Sequence, residues 1–246
     1  MADPASLPLA DLRLNPNLDG AKLAQAFASN GKSLQIRDVL AEESAELIYQ
    51  CLIRETPWGL ANHGDGPQFL SHQQIKAMDK GRMQALQHNI FREARQEYQY
   101  LYHCYPMLSA YQEQWDPYHL LMRFLEFVNM EEVLTLIRSV TGMHDIIKAD
   151  GQATFFAPNQ FLRQHTDDVA EEYRRLAYVF GFTKNWDPNW GGYLQFYDQA
   201  GNITHALMPR FNVLSIFAVP RSHSVGHVAP FAGAPRLSIT GWFRYK

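Results

Sequence analysis

Cysteine is almost missing from this chain. Its 246 residues hold two, Cys51 and Cys104, far apart and in no Cys-x-x-Cys pattern. That excludes a disulfide framework and points to a reducing compartment, so cytoplasmic localisation is expected. No apolar run approaches the length a membrane-spanning helix needs, and neither internal repeats nor low-complexity tracts occur. The opening "MADPASLPLADLRLNPNLDG" has neither a basic head nor an apolar stretch, so no secretory signal is expected. Charge of one sign is also lacking. A net charge of −3 gives no nucleic-acid signature, and neither nucleic acid nor membrane is expected as a direct partner.

What is present is apolar mass, 46% hydrophobic and 13% aromatic, enough for a full core. Its pattern changes along the chain. From about residue 19 to 141 the spacing is mainly helical. "GAKLAQAFASNGK" puts Leu23, Ala26 and Phe27 on one face and stops at Asn30-Gly31. "EESAELIYQCLIRE" and "YHLLMRFLEFVNMEEVLTLIRSVTG" repeat the helical spacing, and "SLQIRDVL" between the first two reads as a strand. "GRMQALQHNIFREARQEYQYLYHCY" reads as a further helix, or one broken near its end.

After Asp150 the period becomes two. "QATFFAP", "FLRQHTD", "RRLAYVFGFT", "GGYLQFYD", "ITHALMP", "FNVLSIFAV", "SVGHVAP" and "RLSITGWFRY" are short, aromatic and β-branched, and punctuated by Gly, Pro, Asn or Asp. Near-regular short strands of this kind predict an antiparallel double sheet or jelly roll, with the preceding helices packed on one sheet. The expected class is α+β. One domain over residues 1–246 is expected, mainly helical over 1–150 and β-rich over 151–246, because each apolar face needs the other.

Strand alternation directs His165 and Asp167 of "FLRQHTDD" to one side and Thr166 and Asp168 to the other. An imidazole and a carboxylate side by side make two cis ligands. An Fe(II) oxygenase needs two histidines and one carboxylate on one face of the metal, with positions left open. "PRSHSVGHVAP" offers the third ligand. His227, beside Val225 and Val228, is better placed for a barrel mouth; His223, beside Arg221 and Ser222, reads as loop. His205 reads as hydrogen-bonded or exposed. In "PRLSITGWFRY", Arg236, Ser238, Thr240 and Trp242 share one face, which an arginine begins. A guanidinium inside an apolar sheet needs an anion, either a surface acid or the carboxylate of a small molecule.

The ordered set "HTD", "RRLAYVFGFTKNW", "GGYLQFYD", "MPRFNVLSIFAV", "GHVAP", "RLSITGWFR" resembles the Fe(II)- and 2-oxoglutarate-dependent dioxygenases of the prolyl hydroxylase type. From "PRFN" to "GWFR" it is most similar to the catalytic domain of ribosomal-protein prolyl hydroxylases. The resemblance implies a double-stranded β-helix. It implies Fe(II) on His165, Asp167 and His227, and 2-oxoglutarate paired with Arg236. Leu194, Thr240 and Trp242 would line that pocket, and ascorbate is a candidate auxiliary reductant. O2 and a proline-containing protein, with ribosomal proteins as the favoured class, would be its partners. Family tyrosines fall at Phe156 and Gly181 here, and Tyr178, of opposite parity to Gly181, is expected to face the outer layer. The alternatives are hydroxylation of a free amino acid, with "LANHGDGPQFL" as a mobile flap in either case, and a non-catalytic jelly-roll binding module. A cupin-type isomerase ranks lower, since it has no need of Arg236.

Overall fold

The computed structural model describes residues 12–64 and 66–246. Part of the stretch read as lacking a secretory signal, residues 1–11, lies outside them, as does Asp65 of the expected flap. The chain begins with α1 (Gly20–Ser29), β1 (Ser33–Arg37), α2 (Glu42–Arg54), β2 (Gly59–His63), β3 (Pro67–Leu70), α3 (His72–Ala77) and α4 (Lys80–Glu93). It continues with β4 (Tyr100–Tyr105), α5 (Met107–Gln112), α6 (Leu120–Val128), α7 (Glu131–Thr141) and β5 (Lys148–Ala149). The remainder is β6 (Gln152–Phe156), β7 (Phe161–His165), β8 (Arg174–Phe182), β9 (Leu194–Tyr197), β10 (Ile203–Leu207), β11 (Phe211–Ala218), β12 (His223–Val225) and β13 (Arg236–Arg244). No helix among the described residues is long and apolar enough to cross a membrane.

Local chemistry explains the helix ends. The Asp19 side chain accepts from the Lys22 N–H at 3.0 Å to start α1, and Gly31, with φ +60°, turns the chain away after it. The long apolar run after Tyr118 makes two helices, because Asn129 stops the first. Its amide donates to the carbonyls of Leu125 (2.8 Å) and Ala149 (2.9 Å), and its own oxygen accepts from the Ala149 N–H. The end of α6 is thereby pinned to β5. Gly142, at φ 70°, ends α7.

Seven of the eight expected strands form as read, the one expected over "SVGHVAP" is instead the three-residue His223–Val225, and the pairing is that of a jelly roll. One sheet orders as β6-β13-β8-β11, with β1 added on β11; the other orders as β7-β12-β9-β10. Successive strands cross between the sheets except for the β9–β10 hairpin. Strand β4 bridges them by pairing with both β6 and β7, and it carries the β2–β3 hairpin. The stretch read as a flap is thus mostly paired strand. The segment read as a further helix, or one broken near its end, is helical to Glu93 and then re-forms as the strand β4.

Alternation on β8 and β13 separates a core face from a cavity face. Leu176, Tyr178, Phe180 and Phe182 join Leu237, Ile239 and Phe243 in a buried cluster with α1, α2, α5, α6 and α7. Phe124 of α6 sits edge-on to Phe180 with centroids 5.2 Å apart. On the other face, Ala177, Val179, Arg236, Thr240 and Trp242 turn into the roll. Tyr178 is on the helix side, its hydroxyl donating to the Asp150 carbonyl at 2.6 Å, as parity requires. It cannot stand in for Gly181.

Candidate metal and cosubstrate site

Strands β7 and β12 are neighbours, and their register puts His223 directly opposite His165. The two rings lie 4.2 Å apart. Each Nδ1 sits on a backbone carbonyl two residues earlier, Arg163 O at 2.9 Å for His165 and Arg221 O at 2.8 Å for His223. That fixes the tautomer and leaves both Nε2 atoms free to ligate. Asp167, two residues past His165, places Oδ1 3.4 Å from His165 Nε2 and Oδ2 3.5 Å from His223 Nε2. One ligand atom from each residue lies within 4.8 Å of the other two. Two imidazoles and one carboxylate on one side form the donor set that suits ferrous iron with open positions.

His227, expected as the third ligand, is not part of this cluster. It is exposed and faces Phe161, with ring centroids 6.3 Å apart, in a groove shared with Phe91 and Arg163. The physical reason is a break in alternation: the β12–β7 register shifts between His223 and Val225. The expectation rested on the apolar neighbours Val225 and Val228, whereas the strand ends at Val225 and leaves His227 beyond it. His223 precedes Arg236 by thirteen residues. His205 stacks on Phe196 at 4.4 Å, away from the cluster.

Electrostatics keep the ligands in binding-competent form. Burial would raise the Asp167 carboxyl, but the His165 hydrogen bond and the His223 and His165 charges outweigh it, and the group ends below its ordinary value. Burial, aided by nearby His165, pushes His223 down to about 4, so its ring is neutral near pH 7. Arg174 steadies the acid from behind. Its guanidinium lies 3.7 Å from Asp167 Oδ1, pairs with Glu172 at 2.5 Å and stacks 3.5 Å over the Trp242 ring.

The cluster opens on a cavity of about 740 Å³, and Arg236 lines the same cavity. Arg236 is 4% exposed and its Nη1 is buried without a hydrogen-bond partner. No acid forms an ion pair with it among the described residues. Burial lowers its pKa to about 10. A buried guanidinium without an anion is costly in isolation, so the residues present fit a dianionic cosubstrate spanning from the cluster to Arg236. Leu194, Thr240 and Trp242 also line this cavity. Phe156 lies under Arg236, 5.1 Å from the guanidinium carbon, and Gly181 lies beside the Arg210 carbonyl. Gly191 and Gly192 both have positive φ, +69° and +66°. A Cβ on Gly191 would lie 2.2 Å from the His227 carbonyl, and one on Gly192 would press on Trp186, Val228 and Arg236. The glycine pair is what lets the loop pass beside the arginine.

Sequence reasoning set His223 aside as loop, and it missed Arg174 and three cavity-lining tyrosines, Tyr100 and Tyr102 of β4 and Tyr98 just before it. The tyrosines were legible as a period of two in "QYQYLY". His223 had no comparable local signal.

Residues 151–244 match the family described as the 2OG-Fe(II) oxygenase superfamily. The mouse protein named prolyl 3-hydroxylase OGFOD1 is 38% identical over 86 residues, which are 32% of this chain; the match spans 15% of the length of that curated relative. Among solved structures, a prolyl-4-hydroxylase from Pseudomonas putida superposes with a TM-score of 0.56 at 19% identity, covering 95% of each chain. A 2OG-Fe(II) oxygenase family oxidoreductase from Burkholderia pseudomallei gives 0.61 at 12% identity, covering 95% of this chain and 94% of that one. A Trichoplax adhaerens prolyl hydroxylase, solved with a hypoxia inducible factor peptide fragment, gives 0.59 at 14% identity over 92% and 88%. At these identities the structures establish the shared fold. The family match falls on the part of the chain that carries His165, Asp167, His223 and Arg236.

Proposed function

We propose that the protein hydroxylates a prolyl residue in a protein segment, using Fe(II), 2-oxoglutarate and O2 and releasing succinate and CO2. The observation that carries the cosubstrate part is the buried, partnerless Arg236 in the cavity that also holds His165, Asp167 and His223. The prolyl part rests on the relatives' names. Ribosomal proteins are the favoured substrate class by the sequence resemblance. Ascorbate would serve as an auxiliary reductant. The two free, buried cysteines suit a reducing cytoplasm. The helical and β-rich parts are read as one oxygenase domain, because they share one core.

His165, Asp167 and His223 would hold the iron, and Arg236 would fix the distal carboxylate of 2-oxoglutarate. When bound, that pair couples O2 reduction to oxidative decarboxylation and supplies the oxidising power for C–H hydroxylation. The chain itself supplies geometry and dryness. The carbonyls of Arg163 and Arg221 aim both imidazoles, and Arg174 steadies the carboxylate. Phe156 and Leu194, both buried, keep water from the inner wall. No nucleophile–base pair is required.

The test is aerobic incubation with Fe(II), 2-oxoglutarate and pools of proline-containing peptides, followed by succinate quantitation and peptide mass spectrometry. One added oxygen on a prolyl residue, with matching succinate, is expected. Succinate with oxygen on free proline alone would overturn the peptide assignment, and no succinate above the blank would overturn the activity.

A further inference from the structure

A continuous file of rings connects the two ends of the site. His165 packs on Tyr98 (centroids 5.6 Å), Tyr98 on Tyr100 (5.8 Å), Tyr100 on Tyr102 (5.4 Å) and Tyr102 on Phe156 (5.0 Å). Phe156 in turn lies under Arg236. His63 of β2 closes edge-on to Tyr98 and Tyr100 at 5.3 and 5.8 Å. Tyr100 and Tyr102 occupy alternate positions of β4, Tyr98 lies two residues before Tyr100, and all three line the cavity. This strand is not one of the eight of the roll; it is a contribution of the helical part, inserted between β6 and β7.

Exposure falls along the file, from 39% at Tyr98 to 8% at Tyr102. A cosubstrate reaching from the histidines to Arg236 would run along the inner end, against Tyr102 and Phe156. The outer end, Tyr98, Tyr100 and His63, stands at the mouth, and Tyr98 touches a candidate metal ligand. If space-filling were the only demand, leucine would meet it. Phenol rings at a half-exposed mouth offer electron-rich faces to a guest while their hydroxyls stay wet. The C–H groups of a saturated ring next to an amide nitrogen are electron-poor and complement such faces.

We propose that Tyr98 and Tyr100, flanked by His63, form the seat on which the substrate's pyrrolidine ring lies, within an extended peptide crossing the mouth. This rests on the prolyl reading above and adds specificity residues that come from outside the roll.

The probe is acetyl-Gly-Pro-Gly amide and its alanine counterpart, titrated by calorimetry into anaerobic protein loaded with Fe(II) and 2-oxoglutarate. Wild type is expected to prefer the proline peptide. The Tyr98→Ala/Tyr100→Ala pair is expected to lose about tenfold in affinity for it, from two ring contacts of ordinary strength. Tyr98→Phe/Tyr100→Phe, which keeps the faces, should retain the preference, as should Phe231→Ala, an exposed aromatic of the loop before β13. If the alanine pair fails to fold by circular dichroism, Tyr98→Leu/Tyr100→Leu takes its place with the same expected loss. Unchanged preference without the ring faces, or lost preference in the phenylalanine pair, would overturn the seat. Mass spectrometry separates the two claims. Preference for proline without oxygen transfer would remove the hydroxylation reading and leave the seat, whereas peptide hydroxylation at unchanged KM in the alanine pair would remove the seat alone.

Discussion

Arg236→Met separates cosubstrate binding from folding. In the free protein this guanidinium is buried, has an unpartnered Nη1 and makes no ion pair with an acid among the described residues. A pKa lowered from 12.5 to about 10 corresponds to roughly 3 kcal/mol against the charged form. At neutral pH, below both values, that penalty is present in full. A straight apolar chain removes it, so the metal-loaded, cosubstrate-free variant should melt higher than wild type. At about 2–4 °C per kcal/mol for a chain of this size, the gain is up to roughly 10 °C. Binding should move oppositely. Loss of a buried charge-assisted clamp costs about 2–5 kcal/mol, on the order of 30-fold to several thousand-fold in 2-oxoglutarate affinity. The assay is a thermal melt with Mn(II), with and without 2-oxoglutarate. Ligand at about 100 Kd stabilises wild type by about 2.7 kcal/mol, and the same concentration should leave Arg236→Met nearly unmoved. A variant that melts lower without cosubstrate, or still gains the wild-type shift, would refute the claim that Arg236 waits for an anion.

Three further outcomes are expected. Gly191→Ala should destabilise by about 2 kcal/mol or more in denaturant melts, because a left-handed residue gains a Cβ against the His227 carbonyl. Arg174→Met should weaken metal affinity about tenfold in a metal titration, because Asp167 loses its rear support. The metal-free protein should lose stability as pH falls. The unfolded chain protonates this imidazole below about 6.5, whereas buried His223 resists until about 4, so the unfolded state binds the extra proton in that window. The loss is up to roughly 3 kcal/mol, and His223→Phe should flatten it in melts from pH 7 to 4.

Much of this was readable in the chain. Period two across residues 152–245 marked the strands of the roll apart from the bounds of β12, and parity alone separated Leu237, Ile239 and Phe243 from Arg236, Thr240 and Trp242. His165 and Asp167 were visible as a local pair. The third ligand was not, because its place depends on a three-residue strand whose register slips beside it, a fact of pairing rather than of local sequence. Strand β4 was obscured by the helix running into it, although Tyr98, Tyr100 and Tyr102 already alternated. A helical period ending just before a β period is easily read as one element.

The decisive measurement is anaerobic titration of Fe(II) and 2-oxoglutarate into wild type, His223→Ala and His227→Ala, followed by visible absorption. A metal-to-cosubstrate charge-transfer band should develop in wild type and His227→Ala and be absent in His223→Ala. A band that survives in His223→Ala and vanishes in His227→Ala would contradict the site described here.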